Sequence, residues 1–214
     1  RKKKTENSYF SNELWNEMTK RIENNEQIML LLNRRGYSSI VSCQNCGYVE
    51  KCPHCDISLT YHKTSGMLRC HYCGYAKRLE AICPECKEEA MKNLGVGTER
   101  IEEEIKKYLP TARVVRMDMD TTSRKGAHEK IITAFQNHEY DILLGTQMIA
   151  KGLDFKDVTL VGIINADTSL NIPDFRSSEY TFQLLSQTSG RSGRGDKEGK
   201  VYIQTFNPDH YAIY

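Results

Sequence analysis

The eight cysteines constrain how this chain can fold more than any other feature. All of them lie between residues 43 and 86 of the 214 residues. They form four Cys-x-x-Cys pairs, Cys43/Cys46, Cys52/Cys55, Cys70/Cys73 and Cys83/Cys86. One such pair presents two thiolates to the same metal ion, and two pairs complete a tetrahedral site with four sulfur ligands. The spacing therefore predicts two structural sites, each holding one Zn²⁺.

Three other uses of the cysteines fit this pattern less well. Four disulfides would suit a secreted scaffold, but no signal peptide is visible at the start of the chain. An iron–sulfur cluster also takes four cysteines, although zinc is the commoner partner of paired Cys-x-x-Cys turns. Catalytic thiols are disfavoured because every cysteine has a nearby partner of the same kind. Metal-bound thiolates indicate a reducing compartment.

Three ways of pairing the four turns are possible, and two of them stand out. In the nested scheme, the two inner pairs share one ion because they enclose a loop of zinc-ribbon length. In the alternative scheme, the first pair joins the second and the third joins the fourth. Nesting also brings residues 42 and 87 together, so that the stretch can be inserted into another domain. The nested sites are Cys43, Cys46, Cys83 and Cys86 for one ion, and Cys52, Cys55, Cys70 and Cys73 for the other.

Two histidines lie inside Cys-x-x-Cys turns and could be mistaken for ligands. His54 stands between Cys52 and Cys55, and His71 follows Cys70. Both are poorly placed to replace a cysteine, so we expect exposed side chains there.

The rest of the chain alternates helix-like and strand-like segments. We predict helices over residues 11–25, from Thr98 to Pro110, over 127–137 and over 177–189. We predict strands over residues 27–33, 112–117, 141–145, 158–165 and 200–206. Ser11 and Thr98 can cap their helices, and apolar residues recur there at helical spacing. Strands alternating with helices at these lengths predict a three-layer α/β domain with a parallel sheet.

The domain organisation follows from these patterns. We predict a linker over residues 1–10, a discontinuous α/β domain over 11–42 and 87–214, and an inserted zinc-binding module over 43–86. The composition, with 39% hydrophobic and 27% charged residues, is that of a globular protein. A net charge of +2 is too small to indicate nucleic acid by itself. No apolar run approaches the roughly 20 residues of a membrane span, so we expect no membrane partner.

Polar segments near the strand ends are candidates for chemistry, because ligands of parallel α/β sheets bind beyond the carboxyl ends of strands. Three such segments are Gly145–Phe155, Asn165–Asp167 and Gln187–Arg194. In the last one, Arg191 and Arg194 alternate with glycines. Their guanidinium groups can therefore project together, in a geometry that suits phosphate oxygens. A basic surface turn is the competing interpretation.

These segments resemble conserved motifs of superfamily 2 helicases. Gln187–Arg194 looks like motif VI, Gly145–Phe155 like motif V and Gln27–Tyr37 like motif IV. The helix start at Gly97–Glu99 resembles a motif that grips one nucleic-acid strand. Together with Leu170–Arg176 and the eight-cysteine insertion, they resemble the PriA family of primosomal replication-restart helicases over nearly the whole chain. The resemblance implies a RecA-like second helicase lobe.

The resemblance also implies roles for individual residues on the nucleotide side. Arg194 would be the arginine finger on the transferring γ-phosphate, and Arg191 would help hold the same phosphate. Gln187 would orient the attacking water or sense the nucleotide. Gly152 and Asp154 would lie near the ribose side of the cleft.

Four residues are candidates for DNA contacts. By the resemblance, Thr98 and Thr146 would hydrogen-bond backbone phosphates, contacts that are independent of sequence. Helix capping is the competing interpretation for Thr98. Arg34 and Arg35 follow the motif IV strand, and we assign them to the DNA side as well.

The chain contains no phosphate-binding loop and no Asp-Glu-x-His segment after a strand. We therefore expect a second motor lobe that binds ATP and Mg²⁺ jointly with a first lobe outside this sequence, and negligible ATP hydrolysis by this chain alone. The resemblance implies a 3′→5′ DNA helicase of the bacterial cytoplasm, associated with the nucleoid, that acts on stalled or forked DNA. Implied partners are primosome loading proteins and single-strand-binding protein.

A non-enzymatic function is the main alternative. In that interpretation the chain is a zinc-ribbon module that binds nucleic acid or protein and is carried on an α/β scaffold. The two functions differ over Arg194, which only the helicase requires for ATP hydrolysis.

Overall fold

The computed structural model describes residues 9–32, 40–62, 65–93, 97–150, 155–193 and 198–213. The chain divides into two compact units. Unit 1 consists of Arg1–Asn33, Val96–Asn165 and Gln183–Gln204. Unit 2 consists of Arg34–Gly95, Ala166–Phe182 and Thr205–Tyr214. Unit 2 thus contains the cysteine stretch together with two later segments, and the predicted boundaries 43–86 stay a prediction.

Unit 1 is built on a five-stranded sheet in which every neighbouring pair of strands is parallel. The order of the strands is β10-β9-β1-β8-β7. Their bounds are β1 Gln27–Leu31, β7 Val114–Met117, β8 Ile142–Gly145, β9 Val158–Ile163 and β10 Lys200–Ile203. Each lies inside a predicted strand, which confirms the predicted parallel α/β sheet. At several ends the predicted strands are two to three residues longer than the strands of the structure.

Six helices are present in the described part of the chain. They are α1 Asn12–Glu23, α2 Thr98–Tyr108, α3 Ala127–Gln136, α4 Gln147–Ala150, α5 Asp167–Leu170 and α6 Ser177–Ser189. The four long ones were predicted, and α6 has the predicted bounds. The single-turn helices α4 and α5 were missed because four residues carry no helical periodicity. None of the described helices is long and apolar enough to cross a membrane.

The core of unit 1 explains why its central strands are apolar throughout. All five residues of β1 and all six of β9 are buried, as expected for a parallel sheet covered on both faces. On one face, Ile28 and Leu30 pack with apolar residues of two helices. Those residues are Leu14 and Met18 of α1 and Ile101 and Ile105 of α2. The predicted apolar faces of both helices are therefore confirmed.

The two predicted helix caps have different outcomes. Ser11 caps α1, because its hydroxyl oxygen accepts a hydrogen bond from the Leu14 amide at 3.2 Å. The capping prediction for Thr98 is wrong, since the N-cap of α2 is Gly97 and Thr98 is the first helical residue. The Thr98 hydroxyl donates instead to a carboxylate from the end of β7, as described below.

Unit 2 has two small antiparallel sheets. One pairs β2, Val41–Cys43, with β6, Met91–Asn93. The other contains β3 Thr60–His62, β4 Met67–Arg69 and β5 Ala76–Arg78. The β2–β6 ladder joins the two ends of the cysteine stretch, as nested metal sites require.

Replacing Leu30 with alanine tests the central strand. Leu30 is fully buried in β1 and packs in the core described above. We expect Leu30→Ala to lower the free energy of unfolding by about 2–5 kcal/mol, because the truncation leaves a cavity. Val201 in the edge strand β10 is 37% exposed, and Val201→Ala should cost about 0.5 kcal/mol or less. Urea denaturation followed by circular dichroism measures both, and equal losses would contradict the central role of β1.

Candidate metal centres and motif residues

The eight cysteines form two clusters with the nested pairing. Cys43, Cys46, Cys83 and Cys86 make the first centre, and Cys52, Cys55, Cys70 and Cys73 make the second. Within each centre the sulfur atoms all lie within 4.8 Å of one another. The nested prediction is therefore confirmed and the side-by-side alternative is wrong. His54 and His71 are exposed and belong to neither cluster.

The distances between sulfur atoms fit a tetrahedral ion. The Sγ–Sγ distances are 3.5 Å for Cys43–Cys86 and 3.6 Å for Cys46–Cys83, and 3.5 Å for Cys52–Cys73 in the second centre. A tetrahedron with Zn–S bonds of about 2.3 Å has edges of about 3.8 Å. A disulfide would need about 2.05 Å, and all eight cysteines are free. The clusters fit two zinc sites.

One backbone arrangement, repeated four times, builds these centres. The carbonyl of the first cysteine in each pair accepts a hydrogen bond from the amide four residues later, and its own amide donates to the carbonyl five residues later. The residue four positions on has a positive φ. These residues are Gly47 (79°), Asp56 (52°), Gly74 (77°) and Lys87 (61°). The turn folds both sulfurs toward one point, and the first cysteine of each pair is buried.

Hydrogen bonds within the turns favour one thiolate in each centre. In the first centre a hydrogen bond with the Asn45 side chain is the main cause that lowers the pKa of Cys86 to about 6. In the second, the backbone amide of Cys73 is the main cause that lowers the pKa of Cys70 to about 7. Burial raises the pKa of Cys46 to about 12, and a hydrogen bond with Cys73 raises the pKa of Cys55 to about 12. Zinc binds thiolates rather than thiols, so an ion that enters either centre displaces protons from cysteines.

The structure brings two predicted phosphate-side segments into contact. Arg191 Nη2 donates a hydrogen bond to the carbonyl oxygen of Ala150 at 3.1 Å. Arg191 belongs to the segment resembling motif VI, and Ala150 ends α4 in the segment resembling motif V. Gln187 is exposed on the last turn of α6. Gly152, Asp154 and Arg194 lie outside the described residues.

The loop after Arg191 is held against the sheet. The Ser192 hydroxyl lies 3.2 Å from the Thr159 carbonyl and 3.1 Å from the Lys200 carbonyl. The Gly193 amide donates to the Val158 carbonyl at 3.1 Å. These bonds join the loop to the first residues of β9 and β10. The backbone leading to Arg194 is thereby fixed up to Gly193.

Asp167, in the polar segment Asn165–Asp167, is held by structural hydrogen bonds. Its carboxylate oxygens accept hydrogen bonds from the Thr205 hydroxyl at 2.9 Å and the Phe206 amide at 3.0 Å. Burial raises the pKa of Asp167 above its ordinary value, although these bonds oppose the change. Thr205 and Phe206 begin the last segment of unit 2, Thr205–Tyr214. The Asp167 carboxylate therefore anchors the start of that segment by two hydrogen bonds.

The predicted DNA-side residues lie at the carboxyl edge of the sheet where they are described. Thr98 is 5% exposed, and its hydroxyl donates to Asp118 Oδ2 at 2.6 Å. The Thr146 amide donates to the Met117 carbonyl at 3.4 Å. Met117 ends β7 and Asp118 follows it, so both threonines meet the same strand end. Arg34 and Arg35 lie outside the described residues.

Sequence reasoning missed Asp118. It is 6% exposed, and it forms an ion pair with Arg116 Nε at 3.0 Å. Burial opposes its ionisation, but hydrogen bonds from Thr98 and Thr121 and the charge of Arg116 hold its pKa below the ordinary value. An acid directly after a predicted strand, in the segment Met117-Asp118-Met119-Asp120, was the available signal.

Pairs of serine substitutions test the metal pairing. Cys43→Ser with Cys86→Ser disrupts one centre, so we expect one zinc ion per chain to remain. Cys43→Ser with Cys52→Ser disrupts both centres, so we expect close to none. Zinc measured by mass spectrometry of metal-loaded protein, against two ions in the unchanged chain, checks both. Side-by-side pairing would give the opposite result for the two variants.

Comparisons with known proteins agree with this geometry. Residues 77–196, more than half of the chain, match the family described as helicase conserved C-terminal domain. Residues 52–78 match the PriA DNA helicase Cys-rich region (CRR) domain. Among solved structures, the helicase domain of Hef from Pyrococcus furiosus is 14% identical and covers 90% of this chain and 24% of that chain, with a TM-score of 0.38.

Three curated relatives share one description. The replication restart protein PriA of Bacillus subtilis is 60% identical over 206 residues, which are 96% of this chain and 26% of that protein. Those of Synechocystis sp. and Chlamydia pneumoniae are 47% and 45% identical, over 96% of this chain and 25% and 28% of the relatives. The chain thus spans about a quarter of the length of these relatives. The resemblance seen in the sequence is confirmed, and so is the RecA-like fold. The chain belongs to the helicase conserved C-terminal domain family and carries the Cys-rich region of the PriA DNA helicases.

Proposed function

We propose that this chain is the second motor lobe and zinc-binding region of an ATP-dependent 3′→5′ DNA helicase that recognises stalled or forked DNA and initiates primosome assembly. The observation that carries the proposal is the hydrogen bond from Arg191 to Ala150. It joins the segments that resemble motifs V and VI, in a chain that also contains two four-thiolate centres.

ATP would bind between this lobe and a first lobe that carries the phosphate-binding loop. On this side, Arg194 and Arg191 would stabilise negative charge on the γ-phosphate, since guanidinium groups present fixed donors to phosphate oxygens. Gln187, exposed at the end of α6, would orient the attacking water or sense the nucleotide. Gly152 and Asp154 would line the ribose side. Bound Mg²⁺ would neutralise phosphate charge.

DNA would run along the carboxyl edge of the sheet in unit 1. Thr98 and Thr146 both lie at that edge, where they bond Asp118 and Met117. Arg34 and Arg35 would add contacts to phosphates. Contacts to phosphates carry no sequence information, which suits an enzyme that moves along DNA. The zinc-binding region would contact forked DNA, primosome loading proteins or single-strand-binding protein. The curated relatives are bacterial, and we propose the bacterial cytoplasm, at the nucleoid, as the site of action.

Arg194→Ala tests the enzymatic function in the protein that combines this chain with its first lobe. Loss of an arginine finger should lower kcat for ATP hydrolysis by about 10³-fold or more. Binding to forked DNA and a zinc content of two ions per chain should stay unchanged. Arg113→Ala is the matched control, because Arg113 pairs with Asp141 at the start of β7 and β8 and belongs to none of the segments that resemble helicase motifs. Survival of DNA-stimulated ATPase in Arg194→Ala would favour the non-enzymatic zinc-ribbon module.

The isolated chain should hydrolyse ATP at no more than the background rate. The reason is that no residue of this sequence forms a phosphate-binding loop. Phosphate release from the zinc-loaded chain, with and without forked DNA, measures this. A turnover that matches the two-lobe protein would contradict the assignment of the chain as one of two lobes.

A further inference from the structure

The hydrogen bond between Thr98 and Asp118 limits what the Thr98 hydroxyl can do. Thr98 Oγ1 donates to Asp118 Oδ2 at 2.6 Å, and a threonine hydroxyl has a single proton to donate. The ionised backbone phosphates of DNA offer oxygens that accept hydrogen bonds. While the bond to Asp118 holds, the hydroxyl has no proton left for such an oxygen.

Asp118 is held in the position that this bond requires. Its Oδ1 accepts hydrogen bonds from the amides of Asp120 at 3.1 Å and Thr121 at 3.0 Å. Arg116 pairs with Oδ2 from one side at 3.0 Å. The carboxylate therefore has partners on both oxygens and is 6% exposed. It cannot turn away from Thr98 without breaking the turn that follows β7.

The second predicted DNA contact depends on the same strand end. The Thr146 amide donates to the carbonyl of Met117, the residue before Asp118. A Cβ atom added to Gly145 would lie 2.6 Å from that carbonyl oxygen, so the approach of the two strand ends requires glycine. Met117 and Asp118, which are consecutive, thus hold the starts of α4 and α2 at one strand end.

We infer that Asp118 is a positioning residue for DNA binding at the start of α2. The Thr98 hydroxyl holds that helix start by donating to Asp118, and it does not itself donate to a phosphate. The pair holds the start of α2 at the end of β7. This inference rests on the proposed function.

A double-mutant cycle separates the two roles of the hydroxyl. Thr98→Val removes the hydroxyl and keeps the shape, and Asp118→Ala removes its acceptor. In the two-lobe protein we expect each change to weaken binding of fluorescein-labelled forked DNA by about tenfold, the range for losing a hydrogen bond to a charged group. The double variant should also be about tenfold weaker, because both changes break one interaction.

Kinetics provide a readout that a general loss of stability would not produce. In each variant, the DNA concentration for half-maximal ATPase should rise about tenfold, with kcat at saturating DNA unchanged. Thr98→Ser keeps the hydroxyl, so both its half-maximal DNA concentration and its kcat should equal those of the unchanged protein. Asp141→Ala is the matched control, because Asp141 is also a carboxylate paired with an arginine but precedes β8, at the amino edge of the sheet. It should bind DNA like the unchanged protein.

Three outcomes would overturn the inference. One is a double variant weakened by the product of the single effects, about a hundredfold, as expected if the hydroxyl donates directly to a phosphate. Another is unchanged DNA binding by Asp118→Ala. The third is an equal loss in Asp141→Ala, which would indicate a general effect of losing a paired carboxylate. Failure of the unchanged protein to bind forked DNA would instead contradict the proposed function.

Discussion

The pairing of β1 between β9 and β8 is the interaction on which unit 1 depends. Every residue of this short strand is buried, and the strand pairs with β9 on one side and with β8 on the other, so it fixes its two neighbours in register. Because all five strands are parallel, their carboxyl ends meet at one edge. The segments that follow β7 and β8 are therefore brought together there by the ladder, although more than twenty residues separate them along the chain.

Unit 2 depends on a different constraint. Its sheets have two and three short strands, which bury too little apolar surface to hold such a region by themselves. The two centres replace a large core, since metal binding to a four-cysteine site stabilises the folded chain directly. Four equal backbone turns place the sulfurs, and the residue at positive φ in each turn is glycine in two of them. The β2–β6 ladder then closes the cysteine stretch at its ends.

The chemistry at the carboxyl edge of unit 1 depends on which groups have protons to give. A hydroxyl that donates to a buried carboxylate is a structural bond, whereas the same hydroxyl without that partner would be a donor for DNA. The Thr98 hydroxyl donates to Asp118 at 2.6 Å, so its hydrogen bond is structural.

The sequence by itself determined the metal centres, the order of long helices and strands, and the helicase family. The Cys-x-x-Cys spacing, the apolar periodicity of helices and strands, and the helicase motifs are local properties. Each needs only a short stretch of chain. Tertiary structure decided the nested pairing of the cysteines, the short helices α4 and α5 and the hydrogen-bond partner of Thr98. The sequence predicted a cap at Thr98 because threonine before a helix has that preference. Asp118, twenty residues away, takes the hydroxyl instead, since only folding brings the end of β7 beside the start of α2.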